Sequence, residues 1–231
     1  MMVKVKICGL RDAAMIEAAA DAGADFVGFV HFPKSPRHLA LDEMATLVAA
    51  ARSDGRAKSV VLLVDPADEL VGHIARTVKP DYLQLHGHES PERVAQIRAS
   101  TGIPIIKAVP VATADNVADG LRYFAPGQSA DILLFDAKPP PGATLPGGNG
   151  LAFDWTILSA AQGLPDYMLA GGLTPENVAE AVRVTGAPMV DVSSGVESRT
   201  GVKDAGLIRR FLRAAKGANQ ANERTEPAKV S

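Results

Sequence analysis

The 231-residue sequence predicts an α/β fold, a single-domain (β/α)8 TIM barrel, on three observations. Short β-branched runs alternate eight times with Ala-rich stretches of helical period, and repeated β-then-α order with short connections forces a parallel sheet with right-handed crossovers. The length lies within the roughly 200 to 250 residues that such barrels commonly occupy as one unit. The composition, 47% hydrophobic but only 5% aromatic, describes an aliphatic core of Val, Ile, Leu and Ala. The alternative, an open doubly wound sheet, carries a GxGxxG turn after its first strand, and Cys8-Gly9-Leu10-Arg11-Asp12 is not that turn.

Taken in order, strands are expected over 3–8, 26–31, 59–64, 82–86, 105–109, 132–135, 167–170 and 189–192. Helices are expected over 11–22, 41–52, 66–79, 91–100, 114–124, 153–162, 175–185 and 203–216. In the first strand, Lys4, Lys6 and Cys8 share one face and Val3, Val5 and Ile7 the other, because a strand alternates sides. Asp65-Pro66, Ser90-Pro91 and Thr174-Pro175 each set a capping residue before a proline suited to the first helical position. Two connections exceed the usual 4 to 6 or so residues: 32–38, with two prolines around Lys34 and Arg37, and the Pro/Gly-rich stretch 137–150. The barrel is expected over 1–216. Residues 217–231 carry almost no large apolar side chain and are expected to form a disordered tail.

Composition excludes several classes. A net charge of -2 without blocks of like charge offers no footprint for nucleic acid or an anionic membrane. One cysteine can form neither an internal disulfide nor a CxxC clamp, and the five histidines contain no HExxH pattern, so no structural metal is expected. No apolar run reaches the ~18 residues of a membrane span. The chain begins in a charged strand instead of a signal peptide, and a cytoplasmic protein is expected.

In such a barrel, chemistry gathers at the C-terminal ends of the strands. There the sequence places Cys8, His31, Asp65, His86, Asp136, Gly171-Gly172 and Asp191 through Gly195. Cys8 beside Lys6 suggests a thiol whose pKa is lowered by cations. Asp136 ends a hydrophobic strand at a partly desolvated mouth, a setting that suits a general acid. The glycines of Gly171-Gly172 and Ser193-Ser194-Gly195 let backbone N–H groups approach a phosphate, in the two loops where barrels commonly hold one. Arg37 offers a planar donor pair matched to a carboxylate. For His31 and His86, a hydrogen-bonded structural imidazole is the commoner role. Gln84 and Lys107 share the inward parity of residues at their strand ends, and Asp191 is placed to bond a sugar hydroxyl or orient the phosphate loop.

Six motifs in this order resemble the phosphoribosylanthranilate isomerases of tryptophan biosynthesis: Lys6-Ile7-Cys8-Gly9-Leu10; Gly28-Phe29 with Ser35-Pro36-Arg37; Gln84-Leu85-His86-Gly87; Phe153-Asp154-Trp155; Leu169 through Leu173 with Asn177-Val178; and Asp191 through Glu197. The resemblance extends to about Phe211. It implies an Amadori rearrangement of N-(5-phosphoribosyl)anthranilate, a phosphosugar, with no cofactor and no metal, by a monomer or homodimer. It also implies that Cys8 is the general base, Asp136 the general acid, Arg37 the carboxylate clamp, and Gly171, Gly172, Ser193, Ser194 and Gly195 the phosphate cradle, with Lys6, His86 and Asp191 behind them. Two places depart from the family pattern. Asn149 stands where a threonine is usual, and His31 where an aromatic often ends the second strand. A related lyase, indoleglycerol-phosphate synthase, would set a lysine and a glutamate at strand ends where this chain has Cys8. A silent phosphosugar-binding barrel would have lost the thiol or the acid.

Overall fold

The computed structural model describes residues 2–124, 130–138, 142, 145, 147, 150, 152–159 and 166–218. Eight parallel strands close into a barrel in chain order. They are β1 (Lys4–Cys8), β2 (Phe26–Val30), β3 (Lys58–Leu63), β4 (Tyr82–Leu85), β5 (Ile105–Val111), β6 (Ile132–Ala137), β7 (Tyr167–Leu169) and β8 (Met189–Val192). Pairing of β8 back onto β1, with Lys6 opposite Asp191, completes the ring. Around it run α1 (Ala13–Asp21), α2 (Leu41–Asp54), α3 (Asp68–Thr77), α4 (Pro91–Thr101), α5 (Ala114–Leu121), α6 (Thr156–Ser159), α7 (Val178–Thr185) and α8 (Ala205–Gly217).

Strand alternation makes two cores. Val5 and Ile7 of β1, with their counterparts on other strands, meet the helices in the outer layer, where α8 contributes Ile208, Phe211, Leu212 and Ala215 at helical spacing. The opposite parity fills the barrel interior with Phe26, Val60, Ile106, Leu134, Met168 and Met189. Lys6 and Cys8 continue this inner parity upward, into the mouth.

The expected caps divide. Ser90 caps α4 as predicted, its side chain accepting from Arg93 N–H, with Pro91 in the first turn. Asp65 does not cap α3. Its backbone turns to a φ of 45°, its carboxylate accepts from the His88 N–H at 2.6 Å, and α3 starts instead after Ala67. Thr174 likewise leaves α7 to begin after Asn177, whose side chain accepts from the Thr174 N–H at 2.8 Å. The helix expected from 203 starts two residues later, capped by Asp204. The preceding residues form an antiparallel hairpin of β9 (Glu197–Arg199) and β10 (Val202–Lys203), which the sequence did not suggest. The tail from 219 and the expected α6 residues 160–162 lie outside the described residues. Among the described residues, no helix is long and apolar enough to cross a membrane.

Candidate active site

The mouth of the barrel holds an open cavity of about 800 Å³ lined by residues from seven strand ends, all but that of β5. Cys8, Arg37, Asp136, Asp191, Ser193 and Ser194 all reach it, together with Gly171 and Gly172. Each is placed by local structure that the sequence dictates.

Cys8 ends β1 opposite Gly28 of β2. A Cβ on Gly28 would stand 3.2 Å from both the thiol Sγ and Lys6 Cε, so glycine leaves the room in which the lysine lies beneath the thiol. The Lys6 ammonium, fully buried, donates to Asp191 Oδ1 at 2.9 Å. Burial opposes its charge, but Asp191 and then Cys8 carry its pKa above the ordinary lysine value. The sequence expectation of a lowered thiol pKa is overturned. Burial pushes the Cys8 thiol up and Asp191 adds to the rise; Lys6 and Lys203 pull it down without reversing the balance.

Asp136 ends β6. Its Oδ1 accepts from the Ala137 N–H at 2.9 Å, and its Oδ2 lies 3.4 Å from His86 Nε2. The Gln84 amide nitrogen sits 3.0 Å from His86 Nδ1. Gln84 thereby holds the His86 ring with its Nε2 facing Asp136. Gly147 and Gly171 close in on this pair: a Cβ on Gly147 would fall 2.5 Å from Asp136 Oδ2, and one on Gly171 would fall 2.7 Å from the Ala137 nitrogen. His86 is thereby a bonded imidazole that lines the cavity beside the carboxyl.

Arg37 emerges from the 32–38 loop, its Cδ packed where a Cβ on Gly9 would come within 2.6 Å. Its guanidinium is already paired: Nε donates to Glu197 Oε1 at 2.7 Å and Nη2 to Oε2 at 2.9 Å. Lys203 also donates to Glu197 Oε1, at 2.7 Å, and to the Ser193 carbonyl at 2.8 Å. Ser193 Oγ in turn donates to the Cys8 carbonyl. Burial raises the Glu197 carboxyl, but hydrogen bonding from Arg37 and the charge of Lys203 outweigh it and hold the group at about 2. Burial pushes the Lys203 ammonium down against the pull of Glu197. Sequence reading missed both: Glu197 sat in a motif without a role, and Lys203 was assigned to a helix.

Several expected residues lie elsewhere. His31 Nδ1 donates to the Leu39 carbonyl at 2.9 Å, and its ring packs 4.9 Å from that of His38. The next residue, Phe32, is the aromatic that lines the cavity. Asp65 faces the next loop, tied to the His88 N–H. Lys107 does not have the inward parity expected of it: it shares the strand face of Ile105 and Val109, which meet the helices, and pairs with Glu89 at 2.7 Å, away from the cavity lining. Gly195 does not line the cavity: a Cβ there would fall 1.9 Å from the Leu173 carbonyl, so its absence lets the β7 and β8 loops touch. Asn149 lies outside the described residues. Among the described residues there is no cluster of three or more His, Cys, Asp or Glu that could hold a metal.

Comparison with known proteins places this site. Residues 5–214 match the family described as N-(5'phosphoribosyl)anthranilate (PRA) isomerase. An N-(5'-phosphoribosyl)anthranilate isomerase of Cereibacter sphaeroides is 55% identical over 214 residues, covering 93% of this chain and 99% of that protein. A phosphoribosyl anthranilate isomerase solved in complex with reduced 1-(o-carboxyphenylamino)-1-deoxyribulose 5-phosphate superposes with a TM-score of 0.79 at 33% identity, covering 94% of this chain and 100% of that one. A structure of monomers generated from the dimeric enzyme of Thermotoga maritima gives 0.78 at 32% identity, with the same coverage. A family match across most of the chain, with more than half of all positions identical in a full-length relative, leaves one assignment: the chain belongs to the phosphoribosylanthranilate isomerase family.

Proposed function

We infer that this protein isomerises N-(5'-phosphoribosyl)anthranilate to 1-(2-carboxyphenylamino)-1-deoxyribulose 5-phosphate, the aldose-to-ketose step of tryptophan biosynthesis, by general acid and base catalysis. The observation that carries this reading is that a thiol from β1 and a carboxyl from β6 line one cavity whose rim holds an arginine and two glycine-rich loops. Asp136 gives a proton to the ribose ring oxygen, the C1–O bond breaks, and the anilino nitrogen's lone pair forms the C1 iminium. The cationic nitrogen acidifies the adjacent C2–H. Cys8, as thiolate, takes that proton, and the electron pair left on C2 neutralises the iminium to give an enolamine. Tautomerisation of its C2 enol returns a proton to C1 and leaves the C2 ketone.

The same cavity accounts for the rest of the substrate. Glycines at positive φ in the β7 loop, Gly171 at 87° and Gly172 at 62°, with Ser193 and Ser194 of the β8 loop, accommodate the phosphate. Arg37 takes the carboxylate, and Phe32 with Val30, Leu62 and Val64 offers an apolar wall for the anthranilate ring. The protein works in the cytoplasm as a monomer or homodimer. Phosphoribosylanthranilate is fluorescent, so adding purified protein without metal or nucleotide should abolish the signal. A signal that persists, or decays only when metal is added, overturns the reading.

A further inference from the structure

We propose that Glu197 is a positioning residue for this reaction: by binding the Nε/Nη2 edge of Arg37 it fixes the guanidinium so that the Nη1/Nη2 edge receives the substrate carboxylate. The inference rests on the function proposed above and assigns a task to a carboxylate that it leaves idle.

A guanidinium offers two edges that can hold a carboxylate through two parallel bonds. Glu197 occupies the side edge completely, with bonds of 2.7 and 2.9 Å. Both side chains are nearly sealed from solvent, at 6% and 3% exposure, which removes the competing water that would loosen such a pair. Glu197 is itself immobilised, since Lys203 Nζ reaches Oε1 at 2.7 Å and the Gly201 N–H reaches Oε2 at 3.0 Å. Gly201 can approach because it lacks a side chain; a Cβ there would fall 2.8 Å from the Pro36 carbonyl. The hairpin after β8 thus braces the 32–38 loop at the residue before Arg37.

Charge supports the same conclusion. Arg37 and Lys203 share one carboxylate, so the cluster is one positive charge in excess beside the cavity. An incoming carboxylate supplies the missing negative charge without displacing Glu197. Arg37 without Glu197 would keep its charge but lose its orientation, and ordering that long side chain would fall to the binding step.

The test compares two ligands on the full protein: reduced 1-(o-carboxyphenylamino)-1-deoxyribulose 5-phosphate and the same compound built from aniline, which lacks the carboxylate. Glu197→Gln should weaken the first by about tenfold or more, raising KM more than it lowers kcat, and leave the second within about twofold. Glu197→Asp, which keeps the charge on a shorter arm, should recover part of the loss. In an Arg37→Met background, Glu197→Gln should add almost nothing for the carboxylate ligand. Equal weakening of both ligands overturns the proposal in favour of a purely structural role, and tighter binding of the carboxylate ligand overturns it by making Glu197 a competitor. Should Glu197→Gln fail to fold, Glu197→Asp carries the same two-ligand comparison. A wild-type protein that binds both ligands yet does not turn over phosphoribosylanthranilate overturns the catalytic reading instead.

Discussion

Two buried lysine–glutamate pairs, one in the hairpin after β8 and one joining β5 to the loop after β4, are nearly the same object. Lys203–Glu197 and Lys107–Glu89 both close at 2.7 Å, with side chains 3% exposed or less. Their remaining bonds separate them. Glu197 holds Arg37, and Lys203 holds the Ser193 carbonyl, so the β8–β1 pair touches residues that line the cavity. Glu89 accepts from the N–H groups of Asp65 and Gly87, and Lys107 donates to the Gly87 carbonyl, so the β4–β5 pair knots the loops after β3 and β4. A buried ion pair is weak evidence for stability or for function by itself. What its spare donors and acceptors reach decides which it serves.

The sharpest test of this division is the proposed chemistry, which draws one group from each half. Cys8→Ser on the β8–β1 side and Asp136→Asn on the other should each lower kcat by about 10²- to 10⁴-fold with melting temperature nearly unchanged. A large loss from only one of them would confine proton transfer to one half. Next comes Glu89→Gln. It removes the carboxylate on the buried Lys107 ammonium, leaving it the Gly87 and Leu85 carbonyls, and should cost about 3 to 5 kcal/mol in denaturant unfolding, while the folded fraction keeps its kcat/KM. Adding Lys107→Met should recover much of that loss, because an apolar residue of similar volume suits the site. A kinetic defect without a stability defect would place the β4–β5 pair in the machinery and erase the contrast.

This contrast also marks where the sequence stopped being legible. The eight units, their parallel order and the inward parity of Lys6 and Cys8 follow from alternation and turn residues, which are local properties. So do the strand-end positions of Asp136 and the glycine loops. Partnership is not local. Arg37 and Glu197 are 160 residues apart, and no spacing rule links an arginine in one loop to a glutamate in a hairpin that the sequence reads as loop. Lys107 shows a second failure. The expected inward parity is wrong, because Ile106 and Ala108 take the interior side of β5 and leave the lysine in the outer layer, where Glu89 holds it. The thiol fails in turn, since neighbouring cations are visible in a sequence and the depth of burial opposing them is not.

A smaller effect isolates Glu197 by pH. Its folded pKa, about 2, lies below the ordinary glutamate value of roughly 4.3, so the carboxylate contributes stability that is complete above about pH 4.3 and lost as pH falls toward 2. The contribution is at most about 3 kcal/mol. Unfolding free energy measured across that window should therefore fall more steeply in wild type than in Glu197→Gln. Equal slopes would detach Glu197 from the cations and return the hairpin to the status of an ordinary surface turn.

The smallest effect asks whether Lys6 belongs to the chemistry or to the core. The proposed mechanism uses Cys8 as thiolate, and the thiol pKa lies above its ordinary value, so kcat/KM should rise with pH through the neutral range and level off only on the alkaline side. Lys6→Met removes the strongest downward pull on the thiol and leaves the Asp191 carboxylate to push it further up. The variant should be slower than wild type by about tenfold at neutral pH, and the gap should narrow as pH rises. Lys6→Met with Asp191→Asn removes both influences and should sit between the two. A gap that stays constant at every pH would mean that Lys6 fixes the geometry of β1 and β8 without tuning the thiol. The β8–β1 half would then hold its lysine for the same reason the β4–β5 half holds Lys107.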